Sequence, residues 1–474
     1  MPGVLAGWAI MVANNEPASS PDEVPASRPP LIDHLVIGGL KSYAQSPTKV
    51  PLAPLTLVFG PNSAGKSSLL STLTLLRQTV VSDKPYHLRT RGDLADVGSF
   101  RLAVHQHDPA TRITLGIGFP APDPDATTWL GSSVLRELSF GYGWDESRER
   151  PGDTLVGIDL DGIATEFLVD GDGVVTAGQD DPQWDDFLAS LAIAREVLDP
   201  IASMPSQPIM RRSDDAHPAG PLASGDPVAA ARLGLGVQLK AELSEVLSRI
   251  AYLGPIRARP ERSASLSTTA YHYVGPEGEY TTEVLADNPS LVDEVNAWFD
   301  RLGLGYQIRI VTPTSDEVSV TAGDFAVLGL IDVRDDPPSL VSSRAVGYGI
   351  SQITPIVVQS LLSRDGMLLI EQPEVHIHPR LQAQVGDLLI NSVQERGNQV
   401  LVETHSEHLV LRLLRRVREG VLDPKDLSIL YVDLLADGAA HVRRLDVDSD
   451  GDLVEGWPGG FFDERLEEVL GQRW

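Results

Sequence analysis

Cysteine is absent from the 474-residue sequence. Its absence excludes disulfides, cysteine-ligated zinc, iron–sulfur clusters and a cysteine nucleophile. A chain without cysteine fits a reducing compartment, and we expect a cytoplasmic location. Basic residues are also few. The sequence has 38 Lys and Arg and 66 Asp and Glu, which give a formal charge of −28. Such a chain repels DNA and anionic membranes, so contact with nucleic acid would need a local basic patch.

Long hydrophobic runs are missing as well. The apolar stretch at residues 4–13 is too short to span a bilayer, and no basic residue precedes it, so it is a poor signal peptide. The longest uncharged stretch, Ala345–Ser363, contains Pro355 and several polar residues. This composition is typical of a loop followed by a buried helix. We therefore expect no membrane partner.

Two kinds of apolar pattern divide the chain. Between about 93 and 176 apolar residues alternate with polar ones, as at Ile113 and Leu115, which predicts antiparallel strands. In the last third, the short apolar runs Met367–Glu371 and Gln399–Glu403 end in acid and flank a helical pattern. That strand–helix–strand rhythm predicts a parallel sheet.

The strongest motif follows the apolar run Leu55–Phe59. It has the form G-x-x-x-x-G-K-S and precedes a helical pattern, as in loops that cradle phosphates. Backbone N–H groups and the helix N-terminus would hold a nucleoside triphosphate, Lys66 would reach the β- and γ-phosphates, and Ser67 would bind Mg²⁺. The predicted cofactor-binding residues of this loop are Gly60, Pro61, Asn62, Ser63, Ala64, Gly65, Lys66, Ser67 and Ser68.

A second motif ends the run Met367–Glu371. Four apolar residues before Glu371 are typical of the strand whose terminal acid holds Mg²⁺ (Walker B). The next residue is Gln372, and an amide cannot act as a general base. Three interpretations stay open: hydrolysis is slow, Glu374 takes over as base, or Gln372 only orients water.

Histidines follow both acidic strand ends. His405 comes after the run Gln399–Glu403, and a histidine there can hydrogen-bond a γ-phosphate, so it is a catalytic candidate. We interpret His376 and His378 as loop residues, because no third metal ligand accompanies them. Beyond His405, the sequence predicts a basic helical face. It is either a solvated or salt-bridged surface or a contact with nucleic acid or a partner. Its members are Arg412, Arg415, Arg416 and Arg418.

A glycine-rich segment precedes the Walker B strand by about twenty residues. Glycines and a serine before a helix make an anion-binding turn. In a head-to-tail dimer it could cap the γ-phosphate of the partner's nucleotide, and the alternative is an ordinary helix start. Its predicted cofactor-binding residues are Gly347, Gly349, Ser351 and Gln352.

The order of these motifs resembles that of ABC-type ATPase heads, including the structural-maintenance-of-chromosomes (SMC) and overcoming-lysogenisation-defect ATPases. More narrowly, VGYGISQ, IEQPEVHIHP, ETHSEH and WPGGFFDE resemble prokaryotic "AAA-type" ATPases with a small C-terminal domain of unknown function. The resemblance covers roughly residues 31–474. It implies an α/β P-loop NTPase fold of ABC-ATPase-head type, with a mixed or parallel core sheet, an antiparallel β subdomain and a helical insertion.

The resemblance also implies a function. It implies ATP and Mg²⁺ as cofactors, with Ser67 and Glu371 at the metal, and a homodimer or higher oligomer. We expect a dimeric ATPase that drives a separate protein partner, such as a nuclease, in DNA repair or phage defence. In LGPIRARPER, Arg257, Arg259 and Arg262 would lie near the nucleotide or the dimer interface.

Other functions stay as alternatives. Gln372 favours a non-hydrolysing ATP-binding scaffold or sensor, whereas a P-loop kinase and a transporter ATPase fit the later motifs less well. Direct nucleic-acid binding rests only on two modest arginine clusters. The WPGGFFDE segment is either a docking site or an aromatic anchor that packs on the ATPase, and we favour packing.

The expected organisation has five segments. They are a disordered arm (1–30), an N-terminal ATPase lobe with the phosphate loop (31–183), a helical insertion with a Pro/Gly-rich loop (184–252), a C-terminal ATPase lobe (253–425) and a small C-terminal domain (426–474). Finer expectations are helices at 184–200 and about 228–251, a mobile loop at 203–227, and strands at 306–312, 317–321 and 325–333.

Overall fold

The computed structural model describes residues 29–82, 84–121, 135–147, 149–160, 163–169, 175–177, 243–258, 264–265, 271–311, 325–342 and 346–458. Almost all of the expected N-terminal arm, the helix at 184–200, the loop at 203–227 and the strand at 317–321 lie outside the described residues. The same holds for most of the helical insertion.

The described residues form strands and helices in both parts of the chain. The strands are β1 (His34–Gly38), β2 (Thr48–Pro51), β3 (Leu55–Phe59), β4 (Ile113–Gly118), β5 (Leu135–Asp145), β6 (Arg150–Leu160), β7 (Ile163–Val169), β8 (Val175–Ala177), β9 (Ile250–Leu253), β10 (Ala264–Ser265), β11 (Tyr306–Val311), β12 (Phe325–Asp332), β13 (Ser339–Ser342), β14 (Met367–Glu371), β15 (Gln399–Glu403), β16 (Leu427–Leu434) and β17 (Ala440–Leu445). The helices are α1 (Lys66–Val80), α2 (Phe100–Ala103), α3 (Thr281–Asp287), α4 (Pro289–Leu302), α5 (Tyr348–Leu362), α6 (Pro379–Gln394) and α7 (Glu407–Arg418).

The core sheet has six strands in the order β17-β16-β3-β15-β14-β9. All neighbours are parallel except the edge pair β16–β17. Every residue of β3 and β15 is buried, because helices cover both faces of a parallel sheet and select continuous apolar runs. The predicted parallel strand–helix–strand unit of β14, α6 and β15 is confirmed.

The predicted antiparallel region forms a separate sheet. Its strand order is β2-β1-β4-β5-β6-β7-β8, with antiparallel pairing throughout. Ile113, Leu115 and Ile117 of β4 are fully buried, as their two-residue spacing requires. One hydrophobic core joins this sheet to α1 and to one face of the core sheet.

A second hydrophobic core covers the other face of the core sheet. It contains apolar residues of α4, α5, α6 and α7 packed on β3, β14 and β15. Beside it, β12 pairs antiparallel with β10, β11 and β13, and β11 and β12 match the expected strands at 306–312 and 325–333. The two cores fix the core sheet between them, and its carboxyl edge carries the sequence motifs.

Two segments differ from the expected organisation in detail. Residues 243–248 are helical, but β9 begins at Ile250, so the expected helix to about 251 ends earlier. Pairing of β9 with β14 overrides the local helical pattern. This strand spans the expected boundary at 252–253. In the expected C-terminal segment, β16 pairs in parallel with β3 and so continues the core sheet.

An ion pair between β1 and β5 should make stability depend on pH. His34 Nε2 lies 2.8 Å from Glu137 Oε2 and Nδ1 lies 3.0 Å from Asp33 Oδ2. The hydrogen bond to Glu137 raises the pKa of His34 above 6.5, although burial opposes it, and the bond from His34 lowers the pKa of Glu137 below 4.5. The histidine contribution is therefore complete below about pH 6.5 and is lost as pH rises through the folded-state pKa.

We expect His34→Gln to lower the free energy of unfolding by about 1 kcal/mol near pH 6. Chemical denaturation of both proteins at pH 6 and pH 9 measures this difference. The loss should shrink at pH 9, because the wild-type imidazole is then neutral. A loss of equal size at both pH values would show that His34 acts through packing alone.

Candidate functional site

The phosphate loop connects β3 to α1 through two conformations that require glycine. Gly60 has a φ of +145°, and a Cβ there would lie 2.1 Å from the carbonyl oxygen of Val432. Gly65 has a φ of +109°, and its Cβ would lie 2.4 Å from Ser42 Oγ. Both positions thus combine a left-handed backbone with close neighbours. The elements around β3 therefore fix the path of the loop.

Lys66 is the first residue of α1 and is buried, whereas Ser67 is exposed. The ammonium group donates to the carbonyl oxygen of Pro61 at 2.8 Å, across the mouth of the loop. Burial lowers the pKa of Lys66, and the nearby Glu403 carboxylate opposes that shift. The cation therefore lies where an anion held by the loop would meet it.

Glu371 ends β14 at the carboxyl edge of the core sheet. The hydroxyl of Tyr252 on β9 donates to Glu371 Oε1 at 2.9 Å. Burial, together with the negative charge of Glu403, raises the pKa of Glu371 to about 7, although Tyr252 and Arg257 act in the opposite direction. A nearby cation would favour the ionised form of this carboxyl group.

Gln372 turns the chain out of the sheet. Its φ of +43° is unusual for a residue other than glycine. Its backbone N–H donates to the carbonyl oxygen of Glu403 at 2.7 Å, which fixes the turn to β15. Burial raises the pKa of the Glu403 carboxyl, and a hydrogen bond from the Gln372 side chain to that carboxylate opposes the rise. The amide therefore faces the space between β14 and β15.

Glu374 ties the Walker B segment to the residues after β15. Its Oε2 accepts from Thr404 Oγ1 at 2.8 Å, and its Oε1 accepts from the backbone N–H of His405 at 2.5 Å. Both oxygens are thus engaged with the segment that carries His405. This contact orients the backbone of His405, whereas sequence reasoning considered Glu374 only as a base.

His405 is exposed at the end of β15. Burial of part of the ring and the positive charge of Lys66 lower the pKa of His405 below 6.5. The imidazole is therefore neutral at pH 7 and lies near the phosphate loop. A neutral ring can donate one hydrogen bond to a phosphate oxygen.

Arg257 lies inside the protein, against the turn that follows β14. Its side chain is fully buried. Nη2 donates to the carbonyl oxygen of Glu371 at 2.6 Å and Nη1 to that of Gln372 at 3.4 Å. Burial lowers the pKa of Arg257 to about 10, with Glu374 and Glu371 opposing. Of its two expected places, near the nucleotide or at a dimer interface, these contacts with the Walker B turn fit the first, and Arg259 and Arg262 lie outside the described residues.

The signature segment begins α5. Gly347 precedes the helix and is exposed, and a Cβ there would meet open space. A Cβ on Gly349 would lie 3.0 Å from the carbonyl oxygen of His376, so this glycine packs on the Walker B loop. Ser351 is buried. The structure therefore leaves the start of the segment open and holds its later residues against the protein.

Gln352 does not face the surface, contrary to its expected place among the cofactor-binding residues. It is fully buried. Its Oε1 accepts from the backbone N–H of Arg257 at 3.2 Å, and its Nε2 donates to the carbonyl oxygen of Arg257 at 2.8 Å. Both polar groups of the amide are used within the protein, so Gln352 positions Arg257 under the Walker B turn.

Glu403 is a candidate site residue that sequence reasoning missed. It ends β15, between β3 and β14, and it is buried. Side-chain hydrogen bonds from Ser67 and Gln372 and the charge of Lys66 lower its pKa, but burial raises it more. The only sequence signal is the acidic end of an apolar run, which matches that of β14. The register pairs Glu403 with Glu371 across the two strands.

Other candidate sites take structural roles. Among the described residues, no group of three His, Asp or Glu side chains is arranged to hold a metal ion. No helix in the described ranges is long and apolar enough to cross a membrane. The basic face of α7 is ion-paired, as one of its two interpretations predicts: Arg416 and Arg412 with Asp387, Arg415 with Glu419, and Arg418 with Asp452.

The start of the C-terminal motif packs on the strand that leads to the phosphate loop. The ring of Trp457 lies edge-on to Phe59 of β3, with centroids 6.3 Å apart. Phe59 also contacts Tyr431 of β16 at 5.3 Å. The favoured interpretation, an aromatic anchor, agrees with this contact. The residues from Gly459 onward lie outside the described ranges.

Comparison with known proteins gives one family match. Residues 331–410 match a family model described as "AAA ATPase domain". The matched segment is under a fifth of the chain and runs from β12 into α7, so it includes the signature segment, Glu371 and His405. It does not include the phosphate loop. No curated protein sequence matches the chain.

Several solved SMC heads resemble the chain at a distance. An Smc head bound to the C-winged helix domain of ScpA has a TM-score of 0.41 and 14% identity, covering 88% of this chain and 98% of that one. An Smc head domain with an extended coiled coil, bound to the C-terminal domain of ScpA derived from Pyrococcus furiosus, has a TM-score of 0.38 and 14% identity, covering 93% of this chain and 99% of that one. The SMC head domain from Thermotoga maritima has a TM-score of 0.37 and 10% identity, covering 88% of this chain and 99% of that one. Scores below 0.5 are too low to assign a function.

The fold itself rests on the topology of the chain. The phosphate loop follows the parallel strand β3, and β15 separates it from the Walker B strand β14. A seven-stranded antiparallel sheet packs beside this core. The predicted α/β P-loop NTPase class of ABC-ATPase-head type, with a mixed core sheet and an antiparallel subdomain, is confirmed.

Proposed function

We propose that this protein is a Mg²⁺-dependent ATPase. The observation that carries the proposal is the convergence of Lys66 and Ser67 with the partly buried Glu371 carboxylate at the end of β14 and the buried Glu403 carboxylate at the end of β15. The loop offers backbone N–H groups, a helix N-terminus and a cation to the phosphates of a nucleotide. Family matching of residues 331–410 supports the same activity.

The residues present fit a nucleotide and its metal ion. Loop residues 60–68 would hold the phosphates, and Lys66 would exchange its bond to the Pro61 carbonyl for phosphate oxygens. Ser67 and Glu371 offer the oxygen donors that Mg²⁺ prefers. When bound, Mg²⁺ neutralises phosphate charge.

Gln372 and His405 are the groups proposed to act beside the γ-phosphate. The Gln372 amide would orient the attacking water, because it can donate and accept hydrogen bonds but cannot take a proton. The neutral His405 ring would donate to a phosphate oxygen. Glu374 holds the His405 backbone in place through its own carboxylate. Hydrolysis in this arrangement depends on positioning and charge more than on a strong base.

The proposed working unit is a dimer that opens and closes with ATP. Gly347 is exposed at the N-terminus of the fifteen-residue helix α5, as a segment that caps a partner's nucleotide requires. Binding of ATP between two copies would shift an open–closed equilibrium and act on a separate protein partner. By resemblance, we place this activity in DNA repair or phage defence, with a nuclease as partner.

Replacing Gln372 by Glu distinguishes this function from a non-hydrolysing scaffold. A positioned general base contributes about 10²–10⁴-fold to a rate. If the wild type is already an ATPase in which the Gln372 amide orients the water, we expect Gln372→Glu to lower phosphate release, because a carboxylate replaces the amide that donates to Glu403. A gain of about a hundredfold from a near-silent wild type would favour the scaffold. Gln307→Glu on β11 is the matched control, because it adds the same charge outside the site.

A further inference from the structure

We propose that Glu403 is a direct ligand of the magnesium ion, together with Ser67 and Glu371. This inference rests on the proposed function and concerns the same site. It starts from the strand register, which pairs Glu403 with Glu371 on β14 and with Val58 on β3. Side chains of paired residues on parallel strands point to the same face of the sheet. The two carboxylates therefore lie side by side next to the loop.

Ser67 connects this pair to the phosphate loop. Its hydroxyl hydrogen-bonds to the Glu403 carboxylate, and Lys66 is close enough to act on that carboxylate by its charge. Ser67 is the loop residue expected to bind the metal, so the group that it contacts stands next to the metal position. The negative charge of Glu403 also contributes to the raised pKa of Glu371, so the two carboxylates lie near each other. The Ser67 hydroxyl and the carboxylates of Glu371 and Glu403 thus surround the proposed position of the metal ion.

The protein does not provide a hydrogen-bond partner for every oxygen of the Glu403 carboxylate. Its side chain is 98% buried, since only 2% of its surface is exposed. Its Oε2 atom has no hydrogen-bond partner within the described ranges. A buried carboxylate oxygen without a partner is costly, and a bound cation would remove that cost. The unused oxygen is the independent sign that a ligand belongs here.

The chemical type of the three ligand atoms indicates which metal ion fits the site. All three side chains offer oxygen, which suits Mg²⁺ rather than softer metals. Mg²⁺ usually keeps several waters and takes one or two carboxylates plus substrate phosphates, so two carboxylates and a hydroxyl are sufficient. With its second carboxylate, this site differs from one in which only the Walker B acid holds the metal.

The test uses the full chain with Glu403→Gln, which keeps the shape and removes the charge. Binding of a fluorescent, non-hydrolysable ATP analogue is titrated with Mg²⁺, and separately measured in EDTA. We expect the Mg²⁺ concentration at half-maximal binding to rise at least about tenfold, a typical cost of disturbing a metal site. Affinity in EDTA should not fall, because the variant removes a negative charge near the phosphates. Mn²⁺ binding followed by electron paramagnetic resonance should weaken in parallel.

Glu395→Gln is the matched control, since Glu395 is exposed at the end of α6. Thermal unfolding checks that both variants fold, and Glu403→Asp provides a second variant that keeps the carboxylate. An unchanged Mg²⁺ midpoint in folded Glu403→Gln, including one with reduced turnover, would overturn the assignment and leave Glu403 as a proton acceptor or structural group. Failure of wild type and Glu395→Gln to bind the analogue would instead reject the proposed function.

Discussion

Arg257→Ala is expected to lower the free energy of unfolding by about 3–5 kcal/mol, the usual cost of removing one partner from a buried charged contact. The guanidinium is fully buried and donates to the carbonyl oxygens of Glu371 and Gln372. Its charge also opposes the rise in pKa of the Glu371 and Glu374 carboxyls. Without Arg257, two carbonyl groups and two partly buried acids, Glu371 and Glu374, lose the cation that they share.

Urea unfolding followed by circular dichroism measures this loss. Arg364→Ala is the control, because Arg364 is exposed before β14 and the change removes the same side chain from the surface. Arg257→Lys should also be destabilising, since a single ammonium group cannot reproduce the two-pronged contact. An Arg257→Ala protein as stable as Arg364→Ala would show that this cation is dispensable to the Walker B turn.

Lys66→Ala is expected to weaken binding of an ATP analogue with Mg²⁺ by about 10- to 150-fold. This range corresponds to a hydrogen bond with a charged group, worth about 1.5–3 kcal/mol. The ammonium is buried at the loop and donates to the Pro61 carbonyl, so it is already aimed across the space that phosphates would enter.

Isothermal titration calorimetry gives the affinity directly. Lys84→Ala serves as the control, because Lys84 is exposed beyond the far end of α1 and carries the same charge. Unchanged affinity in Lys66→Ala, with both proteins folded, would mean that the loop does not hold the phosphates. The two variants test different properties. Arg257→Ala tests what stabilises the fold of the site, and Lys66→Ala tests what binds the nucleotide.

Local pattern was enough to predict the framework of the site. The apolar runs of β3, β14 and β15 end where the motifs begin, and each run is a strand of the core sheet. The alternation around Ile113 likewise predicted the antiparallel sheet. These features depend on neighbouring residues only, because a buried parallel strand and a half-buried antiparallel strand leave different periodicities.

Contacts between distant segments could not be predicted in this way. Pattern alone placed Arg257 only near the nucleotide or a dimer interface, whereas Gln352, 95 residues away, fixes its backbone inside the protein. Glu403 looked like the polar end of a strand until the register placed it beside Glu371. In both cases the role follows from which strands are neighbours, and that depends on tertiary packing.

The central claim is that the chain hydrolyses ATP at the loop of Lys66. Steady-state phosphate release by the purified full-length chain, at saturating ATP and Mg²⁺, tests it most directly with Lys66→Ala prepared in parallel. The account predicts release by the wild type that depends on Mg²⁺ and falls at least about tenfold in the variant. Equal release from the two proteins, including none from either, would contradict it.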